Sequence, residues 1–210
     1  MSDQEVTTLN GKVLAESTIQ EFQSHLHGEL IRPGHFDYDE ARKVWNGMVD
    51  RKPALIARCT GAADVITSVN FARENDMLVA LRGGGHNVTG NAVCDGGLVI
   101  DQSLRKGVRV DPVTKTARAE AGATWGDFDP ETQIFGRATT GGLITTTGIA
   151  GLTLGGGFGW LMRKHGLTSD NLLSVDMVTA GGKSIVVSEE ENPELFWGIR
   201  GGGGNFGVVT

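Results

Sequence analysis

The residue best suited to do chemistry is His86, which follows three consecutive glycines in the segment RGGGHN at 82–87. A neutral imidazole is a good nucleophile or base near pH 7. Glycines that follow a strand let backbone N–H groups converge on an anion. The segment therefore indicates a histidine beside a bound phosphate group, with a structural or merely exposed histidine as the alternative.

Glycine is strongly over-represented: the 210 residues include 32 glycines, of which five precede residue 83. This is about twice the average share. Most of them fall in three segments, at 83–85, 141–159 and 201–207. Several such segments could line one long groove for an extended, phosphate-bearing cofactor. The alternative is a set of tight turns in a compact α+β domain.

Other motifs that would indicate a particular chemistry are incomplete or absent in this sequence. Residues 182–184 end like a Walker A loop, but Met177 stands where its first glycine belongs. Residues 201–207 have the spacing of a dinucleotide fingerprint without a following helix. There is no Gly-x-Ser-x-Gly, and the histidines lack metal-ligand spacing. We therefore expect neither a hydrolase of that kind nor a metal site.

Composition excludes several classes of partner and location. The net charge of -6 argues against nucleic acid as a partner. No run of 18 apolar residues is present, which argues against a membrane span. The first residues lack the basic and apolar regions of a secretory signal. Two cysteines cannot build a disulfide framework, so we expect a reduced, cytoplasmic setting.

The glycine–histidine segment follows a strand–helix–strand pattern. An apolar run at 53–57 precedes a helix whose cap is predicted at Thr60, and a second apolar run covers 77–81. Such a unit predicts two parallel strands with a right-handed crossover.

The remaining pattern predicts shorter elements on either side of this unit. Residues 31–50 are predicted as loop, and 136–159 as a glycine- and threonine-rich stretch without an assigned element. Thr124 and Asp127 have capping-box spacing. The predicted helices are 13–26, 124–133, 160–165 and one from Pro193 that breaks at 201–204, and the predicted strands are 98–101, 107–110, 116–121, 173–179, 184–188 and 206–210.

Four motifs resemble one family closely. They are RGGGHN at 82–87, GNAVCDGGLVIDQS at 90–103, GIAGLTLGGGFGWLMRKHGLTSDNLL at 148–173 and NPELFWGIRGGGGNFGVVT at 192–210. The family is the FAD-linked oxidases of berberine-bridge-enzyme type, which have the FAD-binding fold of p-cresol methylhydroxylase and vanillyl-alcohol oxidase. The resemblance runs from about residue 28 to residue 210.

The resemblance implies an α+β fold of two FAD-binding subdomains. The first, at 28–105, would be a small parallel sheet with helices, preceded by an N-terminal extension at 1–27. The second, at 106–210, would be a mainly antiparallel sheet with helices. FAD would lie extended between them, and the family's substrate domain and catalytic residues are expected beyond residue 210.

The resemblance also implies a set of cofactor-binding residues. The loop at 83–87 would cradle the pyrophosphate through its amides, and the segments at 140–142 and 145–159 would follow the flavin and the ribityl chain. The implied FAD contacts are Arg82, Gly83, Gly84, Gly85, His86, Asn87, Gly90, Thr140, Gly141, Gly142, Thr145, Gly148, Gly151, Gly155, Gly157, Phe158, Val208 and Val209.

His86 matches the family histidine that is attached covalently to the 8α-methyl carbon of the flavin. Many members have a second link, from a cysteine to flavin C6. Alignment on the motif at 148–173 places Ile144 at that position, and neither Cys59 nor Cys94 substitutes for the cysteine. The resemblance therefore implies a single histidyl link.

The activity implied is that of a flavoprotein oxidase. A small-molecule substrate would lose a hydride from an alcohol or amine C–H bond to the covalently linked FAD, and O2 would accept the electrons. Two alternatives stay open: a non-covalent FAD dehydrogenase or reductase of the same fold, and a catalytically incomplete FAD-binding fragment. Neither the substrate nor the oligomeric state follows from the sequence.

Overall fold

A computed structural model describes residues 5–210 of the chain as an α+β fold, as predicted. None of the helices in this described part has the length and hydropathy that crossing a membrane requires. In chain order the elements are α1 (Glu16–His25), β1 (Glu29–Ile31), α2 (Tyr38–Ala41), β2 (Leu55–Arg58), α3 (Ala62–Glu74), β3 (Val79–Arg82), β4 (Leu98–Asp101), β5 (Val108–Asp111), β6 (Thr116–Ala119), α4 (Trp125–Gln133), α5 (Ile149–Leu154), α6 (Met162–His165), β7 (Ser174–Val178), β8 (Ser184–Ser188), α7 (Pro193–Gly202) and β9 (Val208–Val209).

The first sheet has the strand order β1-β2-β4-β3. The predicted unit β2–α3–β3 is present with parallel strands, but β2 and β3 are not neighbours, because β4 lies between them and pairs in parallel with both. The four residues of β4 are all buried, as expected of a central strand. The edge strand β1 is antiparallel and falls partly within the predicted loop.

The second half of the chain forms antiparallel structure. Strands β5 and β6 form a two-stranded hairpin, and β7 lies between β8 and β9 in a three-stranded sheet. Helices α5 and α7 pack on this sheet through Leu154, Phe196 and Ile199, which share a buried cluster with Met177 and Val187. Helix α5 lies in the glycine-rich stretch to which the sequence assigned no element.

One hydrophobic core joins the two sheets. Leu55, Leu98 and Ile100 of the first sheet belong to the same buried cluster as Val178 and Val208 of the second. The side chains that pack there also include Val6, Leu14, Ile19 and Phe22 from the start of the chain. The predicted N-terminal extension is thus packed on the first sheet's core, apart from residues 1–4, which lie outside the described residues.

The turn between β2 and α3 corrects the predicted cap. Gly61, not Thr60, is the N-cap residue of α3, and its extended backbone starts the helix without a side-chain bond. Thr60 instead donates from its backbone N and its Oγ1 to the Asp64 carboxylate, at 2.8 and 2.9 Å. The same carboxylate accepts from the backbone N of His27 and of Gly28. Asp64 therefore ties the entry of β1 to the start of α3.

Removal of this buried carboxylate is expected to destabilise the chain. Asp64 is 1% exposed, and Asp64→Ala leaves four donors without their acceptor, a loss of about 2–4 kcal/mol in the free energy of unfolding. Burial alone would raise the pKa of Asp64, but the hydrogen bonds from Thr60, His27 and Gly28 outweigh it and lower the pKa. The carboxylate's contribution is therefore complete above about pH 4 and is lost as the pH falls through the lowered folded-state value.

Urea unfolding at a series of pH values measures both effects. The control is Asp39→Ala, which removes an exposed carboxylate paired with Arg42 and should change the free energy of unfolding by less than about 1 kcal/mol. Equal losses in the two variants would contradict the role assigned to Asp64.

Candidate functional site

A groove of about 1140 Å³ is lined by residues of both sheets. It exceeds the usual volume of a pocket for a drug-sized ligand, which is about 300–1,000 Å³. Its walls include the end of β3, the loop that follows β3, helix α5 and the residues that lead into β9. Of the predicted cofactor contacts it brings together Arg82, Gly83, Gly84, Gly85, His86, Asn87, Gly148, Gly151, Gly155, Val208 and Val209.

Two glycines let the walls of the groove approach each other at backbone distance. A Cβ atom added at Gly84 would lie 2.5 Å from the backbone N of Gly148, and one added at Gly148 would lie 2.6 Å from the backbone N of Gly84. Distances below 3.0 Å to backbone atoms require the backbone itself to move. The glycine requirement at these two positions therefore comes from a close approach of two segments rather than from an unusual φ angle.

The loop at 83–86 presents backbone N–H groups that have no hydrogen-bond partner in the described part of the chain. No residue among 5–210 accepts a hydrogen bond from the backbone N of Gly83, Gly84, Gly85 or His86. A carbonyl group of the loop is bonded to another segment, because Gly85 O accepts a hydrogen bond from the backbone N of Trp45 at 3.1 Å. Free consecutive amides are the donors from which proteins build anion sites.

His86 is half-buried at this loop, and its ring has two neighbours. The indole of Trp45 stacks on the imidazole with 4.7 Å between ring centroids and 25° between ring planes. Nε2 lies 3.0 Å from Oγ1 of Thr146. Burial lowers the pKa of His86, which favours the neutral imidazole that a nucleophile needs.

The guanidinium of Arg82, the residue before the loop, contacts two other segments of the chain. Nη1 donates to the carbonyl oxygen of Ala41, and Nε lies 3.9 Å from Oδ1 of Asp101, a buried carboxylate at the end of β4. Nε itself is buried without a hydrogen-bond partner in the described residues. The contacts of Arg82 therefore join the ends of two parallel strands next to the groove.

Several predicted contacts lie outside the residues that line the groove. Some have packing roles: the glycines at 141 and 142 lie against Trp125, whose ring carbon Cζ3 would be 2.4 Å from a Cβ at Gly141. Thr140 is fully buried and donates to the carbonyl oxygen of Gly166 at 2.8 Å. The contacts outside the groove lining are Gly90, Thr140, Gly141, Gly142, Thr145, Gly157 and Phe158.

The structure also places in the groove a residue that the sequence analysis did not single out. Gln102 follows β4 directly, its Nε2 donates to the carbonyl oxygen of Val209 at 2.9 Å, and its Oε1 accepts from Arg105. It therefore connects the two sheets at the groove. The sequence did contain a signal for Gln102, namely its position directly after a predicted strand. Ligands of parallel sheets bind beyond the carboxyl ends of the strands, where Gln102 lies.

The position at which the resemblance would place a second flavin link holds no thiol. Ile144 is exposed, whereas both cysteines are buried. Cys59 lies in the core that joins the sheets, and burial raises the pKa of its thiol to about 12. Among residues 5–210, no three His, Cys, Asp or Glu side chains come together as a metal ion would require.

Comparison with known proteins connects this geometry to a family. Residues 53–188 match the family described as FAD binding domain. The (R)-6-hydroxynicotine oxidase of Paenarthrobacter nicotinovorans is 43% identical over 185 residues, which are 88% of this chain and 40% of that protein. An FAD-linked oxidoreductase of Dictyostelium discoideum is 40% identical over 96% of this chain and 44% of its own length.

Solved structures agree with this comparison. The crystal structure of 6-hydroxy-D-nicotine oxidase from Arthrobacter nicotinovorans has a TM-score of 0.86 at 43% identity and covers 88% of this chain and 41% of its own. A glucooligosaccharide oxidase from Acremonium strictum has a TM-score of 0.84 at 30% identity over 92% of this chain and 41% of its own. The chain spans about two-fifths of the length of these relatives. It therefore belongs to the FAD binding domain family and to the FAD-linked oxidoreductases that the resemblance predicted.

Proposed function

We propose that the groove binds FAD and that the complete protein is an oxidase of small molecules. The observation that carries the proposal is the loop at 83–86, where amides without a partner among residues 5–210 lie beside a half-buried histidine whose pKa burial lowers. When bound, FAD would take a hydride from an alcohol or amine C–H bond and pass its electrons to O2, giving hydrogen peroxide.

The residues present fit this cofactor. The amides at 83–86 would donate to the pyrophosphate, and residues of both sheets line the groove that would hold the rest of the cofactor. Arg82 orients the loop through Ala41 and Asp101. Gly148, Gly151 and Gly155 form a wall without side chains, which suits an extended ligand.

The predicted contacts outside the groove lining form a second part of this proposal. Thr140, Gly141 and Gly142, with Thr145, would border the flavin end, where the substrate is expected. Their packing on Trp125 and Gly166 would fix the backbone there. Val208 and Val209 would contact the cofactor from the opposite sheet, with Val209 held by Gln102.

We propose His86 as the single covalent attachment. The FAD of the Acremonium glucooligosaccharide oxidase is described as 6-S-cysteinyl, 8α-N1-histidyl. This chain has a histidine for the second of those links, but Ile144 at the position aligned with the cysteine. Both of its cysteines are buried elsewhere, so no thiol is available for a link to flavin C6.

The intact mass of the purified 210-residue chain, incubated with FAD and then denatured, tests the proposal. We expect an increment of one FAD that survives denaturation and maps to the peptide containing His86. An unmodified mass with a yellow protein that releases FAD would favour the non-covalent alternative, and a colourless protein would favour the incomplete fragment. Peroxide release under air by the full-length protein then distinguishes an oxidase from a dehydrogenase.

A further inference from the structure

Trp45 and Thr146, the neighbours of the His86 ring, both lie in segments that are held by hydrogen bonds to other parts of the chain. The segment that contains Trp45 and Asn46 makes two hydrogen bonds to the segment around His86. The backbone N of Trp45 donates to Gly85 O, and Nδ2 of Asn46 donates to the carbonyl oxygen of Val88 at 2.8 Å. The indole is therefore held over the imidazole face by the backbone on both sides of the histidine.

The segment that contains Thr146 is also held by hydrogen bonds. Its neighbours Thr145 and Thr147 accept hydrogen bonds through their carbonyl oxygens from the backbone N of Gly126 and of Trp125, at 2.8 and 3.1 Å. These bonds anchor the segment to the start of α4. The hydroxyl of Thr146 consequently has a defined position against Nε2 of His86.

The contact with Thr146 makes the two ring nitrogens different. Nε2 has the hydroxyl as its partner, and Nδ1 has no hydrogen-bond partner among residues 5–210. A neutral imidazole carries its hydrogen on one nitrogen and its lone pair on the other. If Nε2 donates to Oγ1 of Thr146, the lone pair resides on Nδ1.

We propose that Thr146 and Trp45 are positioning residues for His86. The Thr146 hydroxyl oxygen accepts a hydrogen bond from Nε2–H, and Trp45 fixes the plane of the ring. Nδ1 therefore holds the lone pair that bonds the flavin. The inference rests on the proposed attachment of FAD at His86 and deepens it, because it names what selects the nitrogen.

The bond formed joins Nδ1 of His86 to the 8α carbon of the flavin. The Nε2–H bond and one 8α C–H bond break, two protons leave, and the electron pair of the C–H bond passes to the flavin. O2, the acceptor in the proposed function, takes the two electrons and two protons as hydrogen peroxide. The Nε2 proton is lost to water as the new bond forms, and the hydrogen bond to Thr146 Oγ1 holds that proton on Nε2 until then.

A pair of substitutions separates the hydroxyl from the shape of Thr146. Thr146→Val keeps the branched shape without the hydroxyl, whereas Thr146→Ser keeps the hydroxyl. We expect Thr146→Val to slow covalent attachment of FAD about tenfold and Thr146→Ser to stay within about twofold of the parent. The rate is measured by mass on denatured aliquots of the 210-residue chain mixed with FAD, with Thr18→Val on α1 as the control.

The second readout needs no cofactor. In the FAD-free chain the imidazole Nε2–H should give a protected, hydrogen-bonded NMR signal that survives in Thr146→Ser and disappears in Thr146→Val. Trp45→Phe should retain the attachment rate and Trp45→Leu should lower it, since only the first keeps a stacked ring.

The two measurements distinguish this inference from the attachment itself. If the parent chain binds FAD but never attaches it, the proposed link at His86 is wrong, and the NMR signal still decides whether Thr146 holds Nε2. Equal attachment rates in the parent and Thr146→Val, or an Nε2–H signal unchanged by Thr146→Val, would overturn the positioning role of Thr146. Equal rates in Trp45→Phe and Trp45→Leu would overturn that of Trp45.

Discussion

His86→Ala is expected to abolish covalent attachment of FAD completely, since the variant leaves no histidine in the loop at 83–86 and neither cysteine lines the groove. The two cysteines are buried, and the aligned position of a second link is Ile144. The amides that would hold the pyrophosphate belong to the backbone and remain in the variant. We therefore expect His86→Ala to bind FAD reversibly, so that denaturation returns the unmodified mass.

The pH dependence of attachment follows from the burial of His86. Burial lowers the pKa of the imidazole, so the neutral form persists to a lower pH than for an exposed histidine. The attachment rate should be constant through neutral pH and fall only below about pH 6.5, the ordinary value. The control is His25→Ala, which removes an exposed histidine from α1 and should attach FAD like the parent. Covalent flavin in His86→Ala would identify a different nucleophile.

Local patterns in the sequence predicted much of the fold. The capping box at Thr124 and Asp127 is confirmed, because the Asp127 carboxylate accepts from the backbone N and the Oγ1 of Thr124. Strand–helix–strand periodicity located β2, α3 and β3. These features depend on neighbours within a few residues, where spacing alone fixes which side chains can meet.

Strand order and the glycine-rich helix could not be predicted in the same way. The insertion of β4 between β2 and β3 depends on packing between distant segments, and local periodicity does not encode that order. Helix α5 contains Gly151 and is bounded by Gly148 and Gly155, so its intrinsic helix propensity is low. Its stability comes from Thr153 and Leu154, which are buried against the rest of the fold.

The candidate site also combines local features, which the sequence indicates, with contacts between distant segments, which it does not. His86 and the glycine loop were identified from sequence because they are contiguous. The contacts of Trp45 and Thr146 with His86 were not, since these residues meet only after folding, and Thr146 is 60 residues away along the chain. An exposed tryptophan in a loop and one threonine of three in a row carry no local signal of that contact.

Gly84→Ala is expected to separate the two walls of the groove and to destabilise the chain by about 1–3 kcal/mol, the usual cost of overpacking. The added methyl group would lie 2.5 Å from the backbone N and 2.6 Å from the Cα of Gly148, and no flexible side chain can absorb the overlap. Because the loop at 83–86 moves with Gly84, the affinity for FAD should fall as well. Urea unfolding and FAD titration measure the two losses.

A double-mutant cycle tests whether the contact between Gly84 and Gly148 is the cause. Gly148→Ala should have a similar effect, because its methyl group would lie 2.6 Å from the backbone N of Gly84. Once one methyl group has forced the segments apart, the second costs little, so the combined loss should fall well short of the sum. Gly47→Ala is the control, since a Cβ there meets nothing within 4 Å. Additive losses would mean that each glycine acts through a separate contact and that the two walls do not depend on each other.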